Sequence, residues 1–392
     1  MSGAPRVGVL YVNFGEPREP GLEEVRGYLE RIFFRNMDLE GGSADAVVAR
    51  ALQLAEARAP SLLAVYRAIG GSPLNDQAEA QAHALEAQLA GSGALDARVY
   101  PAFQFTHPSI LDQVAAARAD GVEILVVLPG YPLCGHSTTV ASLAEVRRAL
   151  RDLDWPVPLR CVSGWHDHPG YLELRVDNVR AFVRERGLDL TDADTLLYFS
   201  VHGTPVKYIE RGSRYDRYVA QHTRAIARRL GVGDRYAVGF QNHTNRPIEW
   251  TQPDNERRLR EVSERRLVVV PVAFMHEQSE TLAELDADLS AFARGLGKEM
   301  HRVPVPHDDA RFVEVLASLV EALACSGPGS GPRPPAGAGE HAGPGAGATA
   351  DEGACGAVCL SPCRCAGLDG VVCTNGHAEP PPSPFVPAAA RS

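Results

Sequence analysis

Residues 267–289, LVVVPVAFMHEQSETLAELDADL, decide how this chain folds. The stretch opens as a short, fully apolar, β-branched run, the pattern of a strand buried on both faces of a parallel sheet. It then turns to polar chemistry and delivers Glu280, followed by Glu284, Asp286 and Asp288. Residues 195–208, TLLYFSVHGTPVKY, are built the same way and deliver His202 where the apolar run ends. Open α/β sheets bind ligands outside the carboxyl ends of their strands. An imidazole and a row of carboxylates are therefore expected to face one cleft. That combination suits moving protons one way and a metal cation the other.

Working outward, apolar strand candidates fall at 6–13, 97–103, 123–130, 195–201, 236–240 and 267–272. Amphipathic helical stretches such as 77–91 and 215–230 separate them. The alternation predicts an α/β protein with parallel sheets covered on both faces. Two sheets fit the length, one in residues 1–160 and one in 161–325, with 307–324 as a closing helix. From residue 326 the composition shifts to Gly, Pro and Ala without apolar periodicity, which predicts a flexible linker and tail over 326–392. The final AEPPPSPFVPAAARS, 378–392, reads as disordered.

The 392 residues are 45% apolar, ordinary for a globular protein, and carry a formal net charge of -10. No basic footprint for nucleic acid is present, so no nucleic-acid partner is expected. No apolar run approaches the roughly 18–20 residues of a membrane-spanning helix. The amino terminus, MSGAPRVGVLYVNFGEP, reads straight into a strand rather than a signal peptide. A cytoplasmic location is expected, with peripheral contact to the inner membrane left open. Nothing in the sequence indicates an oligomeric state.

Of eight cysteines, Cys134, Cys161 and Cys325 are scattered, and Cys355, Cys359, Cys363, Cys365 and Cys373 crowd the last tenth of the chain. In a reducing compartment such clustering favours metal or iron–sulfur ligation over disulfides.

Each motif also has a plainer reading. His202 precedes a Gly and a Pro that break regular structure; it is either a structural histidine or a proton acceptor at a strand end. On a helix over 278–290, Glu280, Glu284 and Asp288 lie at i, i+4 and i+8, on one face. They form either a solvated surface or a path of hard oxygen ligands for a divalent ion. Ser137, Thr138 and Thr139 in PGYPLCGHSTTVASL either cap a helix or help bind an anion at its start. Trp250 in FQNHTNRPIEWTQPD either stacks on a flat ligand or anchors packing.

Taken in order, VNFGEP, YRAIGGSPLNDQAEAQAHAL, THPSILD, LPGYPLCGHSTTVASL, FSVHGTP, FQNHTNRPIEWTQP and PVAFMHEQSETLAELD resemble the motifs of ferrochelatases over about residues 6–322. These enzymes insert ferrous iron into a porphyrin. The resemblance implies two Rossmann-like domains with the porphyrin held between them. His202 and Glu280 then match the catalytic pair, and His202, Glu280, Glu284 and Asp288 the candidate metal-handling groups, with Asp286 on the same acidic helix. Phe14 matches a residue set against the porphyrin, and Ser137, Thr138 and Trp250 are the other candidate porphyrin contacts. The substrate implied is protoporphyrin IX or coproporphyrin III, with ferrous iron as co-substrate. Some relatives carry a 2Fe–2S cluster; here Cys355, Cys359, Cys363 and Cys365 are the candidate ligands, with Cys134 or Cys373 as substitutes. Two departures stand out. Gln278 replaces the usual histidine of D-H-x-E-T-L, with His276 two residues earlier, and Gln104-Phe105 replaces an Arg-Tyr pair, weakening an arginine contact to a propionate. The alternatives are a cobalt or nickel chelatase acting on another tetrapyrrole, and a porphyrin or haem carrier without catalysis.

Overall fold

The computed structural model describes residues 5–35, 43–93, 95–242, 248–324, 371–372 and 383–386. The chain begins with β1 (Arg6–Asn13), α1 (Leu22–Arg35), α2 (Ala44–Ile69), α3 (Leu74–Ser92), β2 (Asp96–Phe103), α4 (Ile110–Ala119) and β3 (Ile124–Pro129). A π-helical turn, His136–Val140, leads into α5 (Ala141–Asp152) and β4 (Leu159–Val162). The second half runs α6 (Pro169–Glu185), β5 (Thr195–His202), α7 (Val206–Glu210), α8 (Tyr215–Arg229), β6 (Tyr236–Gln241), α9 (Asn255–Glu261) and β7 (Arg266–Val272). A π-helix, Glu280–Leu289, continues as α10 (Ser290–Gly295) before β8 (Glu299–Arg302) and α11 (Ala310–Ala324). The tail adds a short strand, β9 (Val371–Val372).

All pairings between the described strands are parallel. The strand orders are β2-β1-β3-β4-β9 and β6-β5-β7-β8. Without β9, the two sheets have the same topology: the first strand lies between the second and the third, and the fourth is outermost. The direction of winding reverses beside the first strand of each, and there the crossover helices diverge and leave a crevice.

The strands read as continuous apolar runs because both faces are covered. In β7, Val268, Val270 and Val272 enter one core with α6 and α8, while Leu267 and Val269 enter another with Leu285 and Leu289 of the π-helix. In β1, Val7, Val9 and Tyr11 pack with α3 and α11, and Leu10 and Val12 with α4 and α5 on the opposite face. The closing helix α11 therefore returns to the first sheet, where Phe312, Leu316 and Val320 are buried. A separate core joins α1 to α2 through Tyr28, Phe33, Ala55 and Tyr66, and carries Phe105.

Two pieces of the tail are seated on the body, which corrects the disordered reading of 378–392 for part of its length. Val371 and Val372 pair with Cys161 and Val162 on the edge of the first sheet. Phe385 is buried edge-on against Phe240, 5.1 Å between ring centroids, and its carbonyl accepts from the Gln252 N–H at 2.9 Å. The Ser383 hydroxyl donates to Asp216. Burying one phenylalanine supplies about 2–3 kcal/mol, enough to hold a short segment of otherwise polar, Pro-rich chain. Cys325, Cys355, Cys359, Cys363, Cys365 and Cys373 lie outside the described residues.

Candidate active site

Four strand ends build one cleft. They are the ends of β1 and β3 in the first half and of β5 and β7 in the second, the strands that flank the crevice in each sheet. After β1 the chain supplies Asn13, Phe14 and Glu16; after β3 it supplies Gly130 to Thr138; β5 ends on His202, and the segment after β7 reaches Glu280. The turn after β1 needs glycine. Gly15 has φ +83, and a Cβ there would stand 2.3 Å from Thr106 Oγ1. Ala273, just past β7, holds φ 76 although it has a Cβ. Such a conformation stores about 1–3 kcal/mol and marks a segment held for a purpose.

The cleft is open to solvent and has a cavity volume of about 270 Å³. Its walls are largely aromatic and aliphatic, with Phe14, Tyr28, Ile32 and Phe33 from one half and Trp250 and Phe274 from the other. Phe14 is braced by Phe105 at 4.6 Å and Tyr28 at 6.4 Å between centroids. Ser137 and Thr138 also line the cleft. Every porphyrin-contact candidate named from the sequence thus reaches the same space.

His202 stands edge-on to Phe274, 6.3 Å between centroids, with Nδ1 2.7 Å from the Gly203 carbonyl. A carbonyl only accepts, so Nδ1 carries the proton and Nε2 the lone pair of the neutral ring. Tyr215 donates to the His202 carbonyl at 3.0 Å. Burial lowers the His202 pKa below its ordinary value, so the imidazole stays neutral at physiological pH.

A group of carboxylates lines the same cleft. Glu280 and Glu284 both line the cleft, and Gln241 Nε2 donates to the Glu280 carbonyl and the Glu284 carboxylate, at 3.0 Å each. Asp288 lies farther along the same helix, exposed outside the cleft. The helix expected over 278–290 is π-helical over Glu280–Leu289 and keeps the 280, 284, 288 row nearly aligned. Asp286 is turned away and held by Arg302 at 2.5 and 2.6 Å, with Glu277 on the other side of that guanidinium at 2.8 and 3.1 Å. It is a structural anchor of the helix and does not extend the acidic row into the cleft. Desolvation, and then the charge of Glu280, push Glu284 up to about 8. Burial likewise raises Glu280.

Both departures have a structural account. Gln278 Nε2 donates to Glu280 Oε2 at 3.0 Å, so the replacement for histidine still touches the glutamate. His276 does not take over that role: it is buried against Gln81 Oε1 at 2.6 Å, and burial, then His307, hold its pKa down to about 3. Gln104 is also buried. It accepts from Tyr131 at 2.7 Å and donates to the Ser137 carbonyl at 3.3 Å, so it shapes the wall beside Ser137. Among the lining residues that the sequence reading did not single out are Glu16, Arg58 and His136, whose ring is tilted against Tyr208 at 3.9 Å between centroids. Among the described residues, no three His, Cys, Asp or Glu side chains form a ready-made metal cage.

Two similarly wound α/β halves pool their crevices around one aromatic cleft, with a neutral imidazole and crowded carboxylates in its wall. Such a cleft suits a flat, largely apolar ligand beside proton and cation chemistry. The chain belongs to the ferrochelatase family, whose profile matches residues 6–323. It is 35% identical over 337 residues to the ferrochelatase of Synechococcus sp. (strain RCC307), covering 81% of this chain and 82% of that protein. To the ferrochelatase of Synechococcus sp. (strain CC9605) it is 34% identical over 336 residues, covering 82% and 84%. Among solved structures, the sirohydrochlorin chelatase SirB from Bacillus subtilis subspecies spizizenii in complex with cobalt aligns with a TM-score of 0.40 at 12% identity, covering 79% of this chain and 92% of that one.

Proposed function

We propose that this protein inserts ferrous iron into a porphyrin to form haem. Two pyrrole N–H bonds break, two protons leave, and the freed electron pairs bind the metal without any change in oxidation state. The observation that carries the reading is that His202 and Glu280 reach one aromatic cleft from the ends of the two strands flanking the crevice of the second sheet. His202 takes a pyrrole proton, Glu280 works opposite it, and Glu284 and Asp288 lead the cation in from the surface.

The walls favour a porphyrin with few carboxylates, since Arg58 is the one arginine or lysine among the described residues lining the cleft. Protoporphyrin IX is therefore preferred over coproporphyrin III, which has four propionates to anchor. Anaerobic insertion assays with both porphyrins test this; faster turnover of coproporphyrin III would reverse the preference. Faster loading of cobalt or nickel into another tetrapyrrole would favour the other chelatase reading, and tight porphyrin binding without turnover would favour a carrier.

Two extensions accompany this reading. A 2Fe–2S cluster held by Cys355, Cys359, Cys363 and Cys365 rests on the crowding of cysteines in the tail. Peripheral membrane contact rests on Leu22 and Phe34 of α1 and Val48 and Leu52 of α2, which are exposed on the helices beside the cleft. No described helix is long and apolar enough to cross a membrane.

A further inference from the structure

Glu16 sits in the turn after β1, 3% exposed. Its backbone is fixed by Asn75: the Glu16 N–H donates to Asn75 Oδ1 at 2.9 Å, and Asn75 Nδ2 donates to the Glu16 carbonyl at 3.0 Å. Its carboxylate accepts from the Tyr66 hydroxyl at 2.9 Å and from the Ser72 hydroxyl, both in the first half. From the other side of the cleft it accepts from the Ser279 N–H at 3.1 Å and from the Ser279 hydroxyl. Ser279 Oγ lies 3.0 Å from Glu280 Oε2.

A carboxylate has about four lone-pair sites, and four donors converge on this one. An ionised glutamate satisfies the whole set, whereas an amide would turn two of its own hydrogens toward those donors. Ser279 has a single hydroxyl hydrogen. Its oxygen gives that hydrogen to either carboxylate, so the hydroxyl bridges Glu16 and Glu280 Oε2. The Glu16 carboxyl also lies at the amino end of the π-helix, where it accepts from the Ser279 N–H.

We propose that Glu16 is a positioning residue that holds Ser279 from across the cleft and, through it, sets the orientation of the Glu280 carboxylate toward the porphyrin. This rests on the reading of His202 and Glu280 as the working pair. The contact joins positions 263 apart in sequence, so the same hydrogen bonds fix how closely the two halves approach.

The test is a double-mutant cycle in the full chain, measuring kcat for iron insertion together with porphyrin affinity by fluorescence quenching. Glu16→Gln and Ser279→Ala should each lower kcat by about 10- to 100-fold, the scale of a misplaced reacting group, with porphyrin affinity near that of wild type. The double variant should be no slower than the slower single, because both changes break one link. Multiplying losses, or wild-type kcat in either single, would overturn the proposal. If Glu16→Gln does not fold, Ser279→Ala decides alone, since it keeps the backbone N–H. Glu280→Gln in parallel separates the two claims. If it keeps wild-type kcat, the working pair is misassigned; if it is inactive while Glu16→Gln and Ser279→Ala match wild type, the pair stands and the positioning role falls.

Discussion

Replacing Glu284 by glutamine should stabilise the protein, and only at high pH. Its carboxyl is raised from 4.5 to about 8 by desolvation and by Glu280. A carboxyl whose folded pKa exceeds its unfolded value binds its proton more tightly in the folded chain. Between these two values the unfolded chain has released a proton that the native state retains, so stability falls as pH rises through the window. At 1.36 kcal/mol per unit, the full shift corresponds to at most ~5 kcal/mol by pH 8. Glu16 and Glu280 share the same poorly solvated region, and water reaches part of the side chain, which brings the expected effect to about 2 kcal/mol. Glutamine keeps an oxygen for Gln241 Nε2 and carries no charge. Urea unfolding in the presence of EDTA should give nearly equal midpoints for wild type and variant at pH 5. At pH 8 the variant should be more stable by about 2 kcal/mol, or roughly 5 °C in melting temperature. A difference that is the same at both pH values, or a variant less stable at pH 8, would refute the crowding argument.

Arg302→Met should lower stability by about 3 kcal/mol in urea unfolding, because Glu277 and Asp286 lose the one cation between them and the π-helix loses its anchor; an unchanged midpoint would show that the ion pairs add nothing. Phe385→Ala should lower the melting temperature and increase proteolysis of the tail by uncovering Phe240; if neither changes, the seating of Ser383–Val386 contributes nothing in solution. Anaerobically purified protein should be reddish with a paramagnetic signal on reduction, and truncation at about residue 326 should remove the colour; a colourless, fully active full-length chain would rule out the cluster.

The long buried strands are legible because each is a largely apolar run, β-branched in 266–272. The strands β4 and β8 were not, because LRCV and EMHR are four-residue, half-covered strands with too few apolar side chains to stand out. The switch from α- to π-helix over 280–289 left no mark either, since both place every fourth residue on nearly the same face. His202 and Glu280 were readable from where apolar runs end. Glu16 was not, because its meaning comes from Ser279, and no local pattern records a contact over that separation. Asp286 reads as one of its acidic neighbours because spacing cannot show that Arg302, at the end of β8, holds it.

Iron insertion by His202→Ala tests the central claim most directly. The variant should bind porphyrin with wild-type affinity and melt near wild type, since His202 caps a strand end rather than filling a core. Its insertion rate should fall by about 10²–10⁴-fold, the usual loss on removing a general base. Near-normal turnover in a folded, porphyrin-binding His202→Ala protein would contradict the account.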